Sequence, residues 1–250
     1  MKGIRLSEIT WQEVPKAIWQ CPVALLPIGG GTKEHGPHLP LGTDLMVVEA
    51  LAERVVEAAP VLLLPALAYA YYPAFVDWPG SVSIAARHFV AFVEDIIRSL
   101  HRHGMHRFLI LDGEVSTHPP LDVLSRDLHE TLGVLVAVTS IRGLGYEAHQ
   151  RMAEQEAGGH ANEIETSRLL AIQPDLVKIK RTVQEFAPDT PGTLGPTGIR
   201  KVHLGGKLRG VSGVNGDPTL ATRQKGEQSL KAMVQDLLNF VEGFINTPLP

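Results

Sequence analysis

The chain has 250 residues, of which 44% are hydrophobic and 20% are charged, and its formal net charge is -4 with neutral histidines. This is the composition of a globular protein, and the charge balance argues against a broad basic surface for nucleic acid. A single cysteine, Cys21, excludes an internal disulfide and any zinc site made of several cysteines. No apolar run approaches the roughly 20 residues of a membrane span, and residues 1–11 lack the apolar core of a signal peptide. We therefore expect a cytoplasmic protein with no nucleic-acid or membrane partner.

Short apolar runs alternate with segments of helical periodicity along the chain. The apolar runs predict strands at residues 23–28, 61–67, 107–111 and 134–139. The spacing of apolar residues predicts helices at 45–59, 86–103, 120–132, 162–172 and 224–244, the first of them capped by Thr43 or Asp44. Residues 183–222 are rich in Gly, Pro and Thr and predict loops. The alternation predicts one α/β domain over residues 1–250, with a mainly parallel sheet flanked by helices on both faces.

A loop rich in proline and glycine, with the sequence GGGTKEHGPHLPLGTD, follows the first predicted strand. It contains Lys33, Glu34, His35, His38 and Asp44. Neutral imidazole and carboxylate groups are ligand types for zinc and manganese, and the prolines stiffen the loop that carries them. The loop therefore predicts a divalent-metal site, with His38 in a structural role. A hydrogen-bonded surface loop without a metal is the alternative interpretation.

Two further polar segments follow a predicted strand or open a predicted helix. The segment LILDGEVSTHPPL carries Glu114 and Ser116, although Asp, Ser and Thr in such a position are also ordinary turn residues. The segment GGHANEIETS carries His160, Glu163 and Glu165, and the helix dipole also favours carboxylates there. The helix dipole alone accounts for Glu163, which we interpret as structural. Because active groups collect at the carboxyl ends of parallel strands, we expect these segments to lie near the metal loop.

The metal loop resembles the first signature of the creatininase family, E-Q-H-G-P-H-L-P-x-x-T-D. In that family the Glu, the His and the Asp bind a pair of divalent metals, and the Asp bridges them. His35 and Asp44 match the signature, whereas Lys33 stands at its Glu and Glu34 at its Gln. The resemblance implies a creatininase-like three-layer sandwich, a cofactor of one or two Zn2+ or Mn2+ ions, and assembly into homo-oligomers, often hexamers.

The segment LILDGEVSTHPPL resembles the family's N-G-H-x-[GE]-N loop at the end of a strand. Asp112 stands at the position of the Asn, and Glu114 stands at the position of a metal-binding His. Ser116 stands where some members supply a second ligand, a Glu. The resemblance therefore places Glu114 among the candidate metal ligands and Ser116 in the candidate substrate pocket.

The segment GGHANEIETS resembles the family's G-H-A-G-E-x-E-T-S. His160 matches a catalytic histidine that protonates the leaving nitrogen, and Glu165 matches an acidic partner in the site. The stretch FVDWPGSVSI resembles the family's F-P-G-T-x-S, and its Phe75 and Trp78 are candidates for the wall of a substrate pocket. A C-terminal stretch, GVNGDPTLATRQKG, also resembles a family motif, so the likeness covers most of the chain.

The altered ligands lead to a hypothesis about one of the two metals. The changes from Glu to Lys33 and from His to Glu114 are complementary in sign, and a paired buried lysine is tolerable where a lone one is costly. We therefore expect the Lys33 ammonium to take the place of one metal, balanced by Glu114 and Asp44. His35 and Asp44, with Glu34 or Glu114, would hold the remaining ion. If Glu34 and Glu114 both coordinate, a two-metal site survives instead.

The predicted function is metal-dependent hydrolysis of a non-peptide C–N bond in a small cyclic or formyl amide. The changes in the first two motifs argue against creatinine itself as the substrate. One alternative is a degenerate family member that binds a ligand or a partner without catalysis. Another is a metal-free enzyme that uses Lys33 and Glu34 as its acid–base pair, although no activated nucleophile is evident.

Overall fold

The computed structural model describes residues 2–186 and 210–250. Within them the strands are β1 (Ile4–Arg5), β2 (Val23–Ile28), β3 (Val61–Leu63), β4 (Arg107–Asp112) and β5 (Leu135–Val138). The α-helices are α1 (Val14–Gln20), α2 (Thr43–Ala58), α3 (Ala86–His101), α4 (His118–Leu132), α5 (Tyr146–Met152), α6 (Glu163–Ile172) and α7 (Arg223–Ile245). Part of the predicted loop 183–222 therefore lies outside the described residues. No helix in the described parts has the length and apolar character needed to cross a bilayer.

The five strands form one sheet in the order β1-β3-β2-β4-β5, and every neighbouring pair of these described strands is parallel. β2 lies at the centre, and all six of its residues are buried. Its register pairs Leu26 with Ile110 and Ile28 with Asp112, so β2 and β4 end side by side. This register brings the two loops that follow these strands to the same edge of the sheet.

The sheet separates two apolar cores, because alternate residues of a strand point to opposite faces. On one face Val23 and Leu25 belong to a core that includes buried residues of α2, α6 and α7. On the other face Ala24 and Leu26 belong to a core with α1, α3 and α4. Each fully buried leucine of β2 contributes about 1.5 to 3 kcal/mol. The predicted parallel sheet with helices on both faces is confirmed.

The start of α2 differs from the prediction that Thr43 or Asp44 caps it. The capping residue is Gly42, which makes no side-chain cap, and both predicted caps lie inside the helix. The Thr43 hydroxyl donates a hydrogen bond to the Pro40 carbonyl at 2.7 Å, and the Asp44 carboxylate forms an ion pair with Lys33 and lies 3.0 Å from His35 Nε2. The prediction was wrong because both side chains have partners outside the helix backbone.

The other differences concern short elements and element ends. All five predicted helices are present, with ends within two residues of the prediction. The predicted strand 61–67 ends at Leu63, since Pro65 has no N–H to donate to a ladder. The sequence analysis did not predict β1, α1 or α5, which have two, seven and seven residues. Such elements are too short to show a clear period in a window of 11 residues or more.

The close packing of α7 against α6 depends on Gly226. A Cβ at this position would overlap the Ser167 carbonyl of α6 and would lie 3.0 Å from the Ala171 Cβ. We expect Gly226→Ala to lower the free energy of unfolding by about 1 to 3 kcal/mol, the usual cost of overpacking. Gly243→Ala in the same helix is the control, because among the described residues no atom outside the helix's own backbone lies within 4 Å of its Cβ position. Equal urea midpoints for the two variants would contradict the expectation.

Candidate functional site

The predicted site residues converge at the carboxyl edge of the sheet. They come from the loops after β2 and β4, from the first turn of α2 and from the segment that opens α6: Lys33, Glu34, His35, Asp44, Glu114, His160 and Glu165. This is the edge at which open α/β sheets bind ligands, because the connections diverge there and leave a crevice. Three segments distant in sequence therefore form one site.

Gly30 lets the loops after β2 and β4 come into direct contact. Its backbone N–H donates to Glu114 Oε1 at 3.1 Å, and a Cβ at this position would lie 2.5 Å from the same oxygen. Any side chain at residue 30 would therefore push Glu114 out of place. The glycine holds Glu114 over the loop that carries Lys33.

Lys33 lies between two carboxylates inside the protein. Its side chain is 7% exposed, and its Nζ forms ion pairs with Asp44 Oδ2 and, at 2.9 Å, with Glu114 Oε2. The ammonium also lies 5.0 Å from the centre of the Phe75 ring. Burial alone lowers the pKa of Lys33, but the two carboxylates outweigh it and raise that pKa, so Lys33 stays charged. Burial and the Asp44 carboxylate together raise the pKa of Glu114 well above its ordinary value.

The His35 imidazole and the Asp44 carboxylate lie so close together that a positive charge is required between them. The His35 Nδ1 lies 3.2 Å from the Lys33 carbonyl oxygen, so a neutral ring donates its proton there. Its Nε2 then directs a lone pair toward Asp44 Oδ1, 3.0 Å away, and within the described residues it makes no hydrogen bond. A lone pair and a carboxylate at this distance repel each other. Only a shared proton or a bound cation removes the repulsion.

His160 and Glu165 lie beside His35. The ring centroids of His35 and His160 are 4.6 Å apart, and His160 Nε2 lies 3.1 Å from Glu34 Oε2. Within the described residues, ligand atoms of His35, His160 and Glu165 all lie within 4.8 Å of one another. Burial lowers the pKa of His160. Imidazole nitrogens and carboxylate oxygens form a donor set that suits zinc or manganese.

The backbone before α6 fixes the positions of His160 and Glu165. Ala161 has a φ of 49°, a left-handed conformation that costs a residue other than glycine about 1 to 3 kcal/mol. Its N–H donates to Glu165 Oε2 at 2.6 Å, and the Asn162 side chain caps α6 by accepting from the Glu165 N–H at 3.0 Å. His160 also pairs through its backbone with Asn215. These contacts hold His160 and Glu165 toward the site.

A cavity of about 190 Å³ opens onto these groups. The residues predicted to form a substrate pocket, Phe75, Trp78 and Ser116, all lie in its wall. Two residues that the sequence analysis missed, Arg142 and Asn215, also lie there. Among the described residues of the wall, four carboxylates and two cationic side chains give a formal excess of two negative charges.

Asn215 belongs to the C-terminal stretch that resembles a family motif, so a signal for it existed in the sequence. No pattern in the sequence marked Arg142. The ligand roles predicted for Glu34 and Glu114 stay predictions: Glu34 contacts His160, and Glu114 contacts Lys33.

Two residues interpreted as structural have partners away from the cavity. Glu163 is fully buried, forms an ion pair with Lys225 and accepts hydrogen bonds from the backbone of 154–155. His38 Nε2 lies 2.8 Å from the Thr166 hydroxyl, and burial lowers the pKa of His38 to about 4. Both interpretations agree with these contacts. Glu163 does more than complement the helix dipole, because it also joins α6 to α7.

The comparisons with known proteins agree with this geometry. A family model described as creatinine amidohydrolase, or creatininase, matches residues 7–241. Creatinine amidohydrolase of Pseudomonas putida is 28% identical over 260 residues, which cover 96% of this chain and 96% of that protein. The 3-dehydro-scyllo-inosose hydrolase of Thermotoga maritima is 27% identical and covers 96% and 83%. The mycofactocin precursor peptide peptidase of Mycolicibacterium smegmatis is 31% identical and covers 85% and 81%.

Solved structures of creatininase share the fold. A Zn-Zn form of a mutant creatininase is 27% identical, has a TM-score of 0.81 and covers 98% of this chain and 99% of that chain. A manganese form is 26% identical, with a TM-score of 0.77 and coverage of 97% and 99%. The match to the family model over most of the sequence and this shared fold show that the chain belongs to the creatininase family.

Proposed function

We propose that this protein is a metal-dependent amidohydrolase that cleaves a non-peptide C–N bond in a small cyclic or formyl amide. Its named relatives are hydrolases, and one of them is a peptidase. The observation that carries the proposal is that Asp44 and His160 line one cavity and that the buried His35 contacts both of them. That arrangement brings candidate metal ligands and a candidate proton donor to the same space.

The proposed cofactor is a single Zn2+ or Mn2+ ion. His35 and Asp44 would hold it, with Glu34 or Glu114 as a further ligand, since the His35 Nε2 faces Asp44 without a hydrogen bond within the described residues. The contacts that the Lys33 ammonium already makes with Asp44 and Glu114 support one divalent ion rather than two. The Zn-Zn and manganese forms of creatininase support these two metals as candidates.

The Lys33 ammonium is proposed to occupy the place of the second metal of the family. Its ion pairs with Asp44 and Glu114 support this, because the family's bridging Asp and its metal-binding His stand at those two positions. A fixed ammonium supplies one positive charge where a metal supplies two. It also has no open coordination position, so it stabilises the site electrostatically and binds no water as a Lewis acid.

A divalent ion at this site would supply hydroxide at neutral pH and polarise the amide carbonyl. His160 would donate the proton that the leaving nitrogen needs. Glu34, which lies 3.1 Å from His160 Nε2, would orient the imidazole and stabilise its protonated form. Phe75 packs on His160 with ring centroids 4.7 Å apart, which limits rotation of the imidazole and excludes water from that side.

Substitution of His160 tests the mechanism. We expect His160→Gln to lower kcat by about 100-fold to 10,000-fold, the usual contribution of a general acid, while the metal content stays unchanged. Hydrolysis is measured on a panel of cyclic and N-formyl amides with protein stripped by chelator and reloaded with zinc or manganese. Loss of the metal in this variant would instead make His160 a ligand, together with His35 and Glu165.

The same assay separates the enzyme from the alternatives. Hydrolysis that survives complete removal of metal would contradict the proposal and favour the metal-free acid–base pair of Lys33 and Glu34. Tight metal binding without turnover of any amide would favour a degenerate family member that binds a ligand. Assembly as a homo-oligomer and a cytoplasmic location stay predictions.

A further inference from the structure

A second cavity of about 290 Å³ lies next to the candidate active site. The two cavities share four wall residues, namely Ile141, Arg142, Gly159 and Glu165. The remaining wall of the second cavity comes from α5, from α6 and from the segment between these helices. A ligand with its amide at His160 could therefore extend a substituent past Gly159 into this space.

Arg168 of α6 is a buried cation in the wall of this cavity. It is 5% exposed, and its guanidinium contacts two neutral groups, Ser229 Oγ at 2.8 Å and His149 Nε2 at 3.2 Å. Within residues 2–186 and 210–250 it forms no ion pair with a carboxylate. Burial lowers the pKa of Arg168 to about 10, so it still carries its charge at neutral pH. Burial of this charge is costly, and the Glu165 and Asp44 carboxylates compensate it only in part, so an anionic ligand in direct contact would stabilise it further.

Arg142 gives the same cavity a second guanidinium. Its side chain is exposed, and one terminal nitrogen lies 3.1 Å from the position that a Cβ of Gly159 would take. The absence of a side chain at Gly159 therefore lets the guanidinium lie directly over the backbone between the two cavities. In the described parts of the chain Arg142 has no hydrogen bond and no ion pair.

The cavity wall contains one carboxylate among its described residues, that of Glu165. Its Oε2 already accepts the Ala161 N–H at 2.6 Å, and its ligand atoms lie beside His35 and His160. The wall therefore keeps an excess of positive charge toward the space next to α5. The wall of the candidate active site has an excess of negative charge instead. The first cavity therefore favours a cation, and the second cavity favours an anion.

We propose that the second cavity binds a carboxylate of the substrate, so that the enzyme hydrolyses small amides that carry a carboxylate beside the C–N bond. This inference rests on the proposed function, since it names the substrate class of the same site. The planar guanidinium of arginine binds both oxygens of a carboxylate through parallel N–H donors. The exposed guanidinium of Arg142 would make that contact directly. The buried guanidinium of Arg168, in the wall of the same cavity, would attract the carboxylate electrostatically.

The test compares two cyclic amides that differ by one carboxylate, 2-pyrrolidinone and its 5-carboxylate. Binding to the metal-loaded protein is measured by calorimetry, so no turnover is needed. We expect the carboxylate to bind at least about tenfold more tightly, as a charge-assisted hydrogen bond allows, and Arg142→Gln to reduce that ratio to less than about threefold. Arg151→Gln is the control, because Arg151 is exposed in α5 and lies outside both cavity walls.

Two outcomes would overturn the inference. Equal binding of the two amides to the wild-type protein would show that no carboxylate subsite exists. A preference that survives Arg142→Gln would show that Arg142 does not bind the carboxylate, which contradicts the proposed subsite. If the protein prefers the carboxylate, loses that preference in Arg142→Gln and yet hydrolyses no amide, the carboxylate subsite is supported. Only the proposed function is then contradicted.

Discussion

Replacing Asp44 by Asn is expected to remove the metal and to reduce hydrolysis by at least about a hundredfold. Asp44 contacts both Lys33 and His35, so the change removes one ligand and also the negative charge that pairs with the ammonium. The variant should therefore lose about 3 to 5 kcal/mol in the free energy of unfolding, the usual cost of breaking a buried ion pair. Metal content after dialysis and urea unfolding measure the two effects separately.

Asp122→Asn is the matched control for this substitution. Asp122 lies in α4, its side chain is 51% exposed, and its ion pair with Arg126 is on the surface. Surface pairs of this kind contribute about 0 to 1 kcal/mol. Full metal occupancy in the Asp44 variant would remove Asp44 from the proposed ligands and would contradict the proposed site.

Replacing Lys33 by Met is expected to destabilise the metal-free protein by about 3 to 5 kcal/mol. Met has a similar length but no charge, so Asp44 and Glu114 would be left buried together without their counter-ion. Added zinc or manganese should restore part of the lost stability, because a second ion can then enter between the two carboxylates. Thermal unfolding with and without metal measures both effects.

The control for this prediction is the same substitution at an exposed lysine, Lys231→Met in α7. If Lys33→Met unfolds at the wild-type temperature without metal, the ammonium contributes no net stabilisation. If added metal has no larger effect on the variant than on the wild-type protein, the ammonium does not occupy a metal position. The second result would directly contradict the proposal that the Lys33 ammonium takes the place of a metal ion.

The fold could be predicted from the sequence because its main elements have strong local patterns. The run VALLPI of β2 is buried on both faces, and α3 shows the helical spacing of apolar residues that buries Phe89, Val93 and Ile97. The cap of α2 was predicted wrongly, because the Thr43 hydroxyl bonds back to the Pro40 carbonyl and the Asp44 carboxylate contacts Lys33 and His35. The strand predicted at residues 61–67 ends at Leu63, although Pro65 already indicated an earlier end in the sequence.

The site could be predicted in part. His35 lies in a proline-rich loop and Asp44 in the first turn of α2, which directly follows it, so their types and spacing indicated a metal site. The contact between Lys33 and Glu114 joins two loops, and the two residues are 81 positions apart in the sequence. It was expected because Lys33 and Glu114 replace two of the family's metal ligands with side chains of opposite charge. Arg168 and Arg142 could not be found, because one lies within an ordinary helix and the other in a connection that has no pattern. Only the packing of α5, α6 and α7 brings them to one cavity.

The most direct test is a count of the metal ions bound near Asp44. Crystals of the wild-type protein and of a Lys33→Glu/Glu114→His double variant, both loaded with manganese, would be compared by anomalous scattering at the manganese edge. We expect one ion per chain in the wild-type protein and two in the double variant, which regains the ligand types of the family. Two ions beside Asp44 in the wild-type protein would contradict the claim that the Lys33 ammonium replaces a metal.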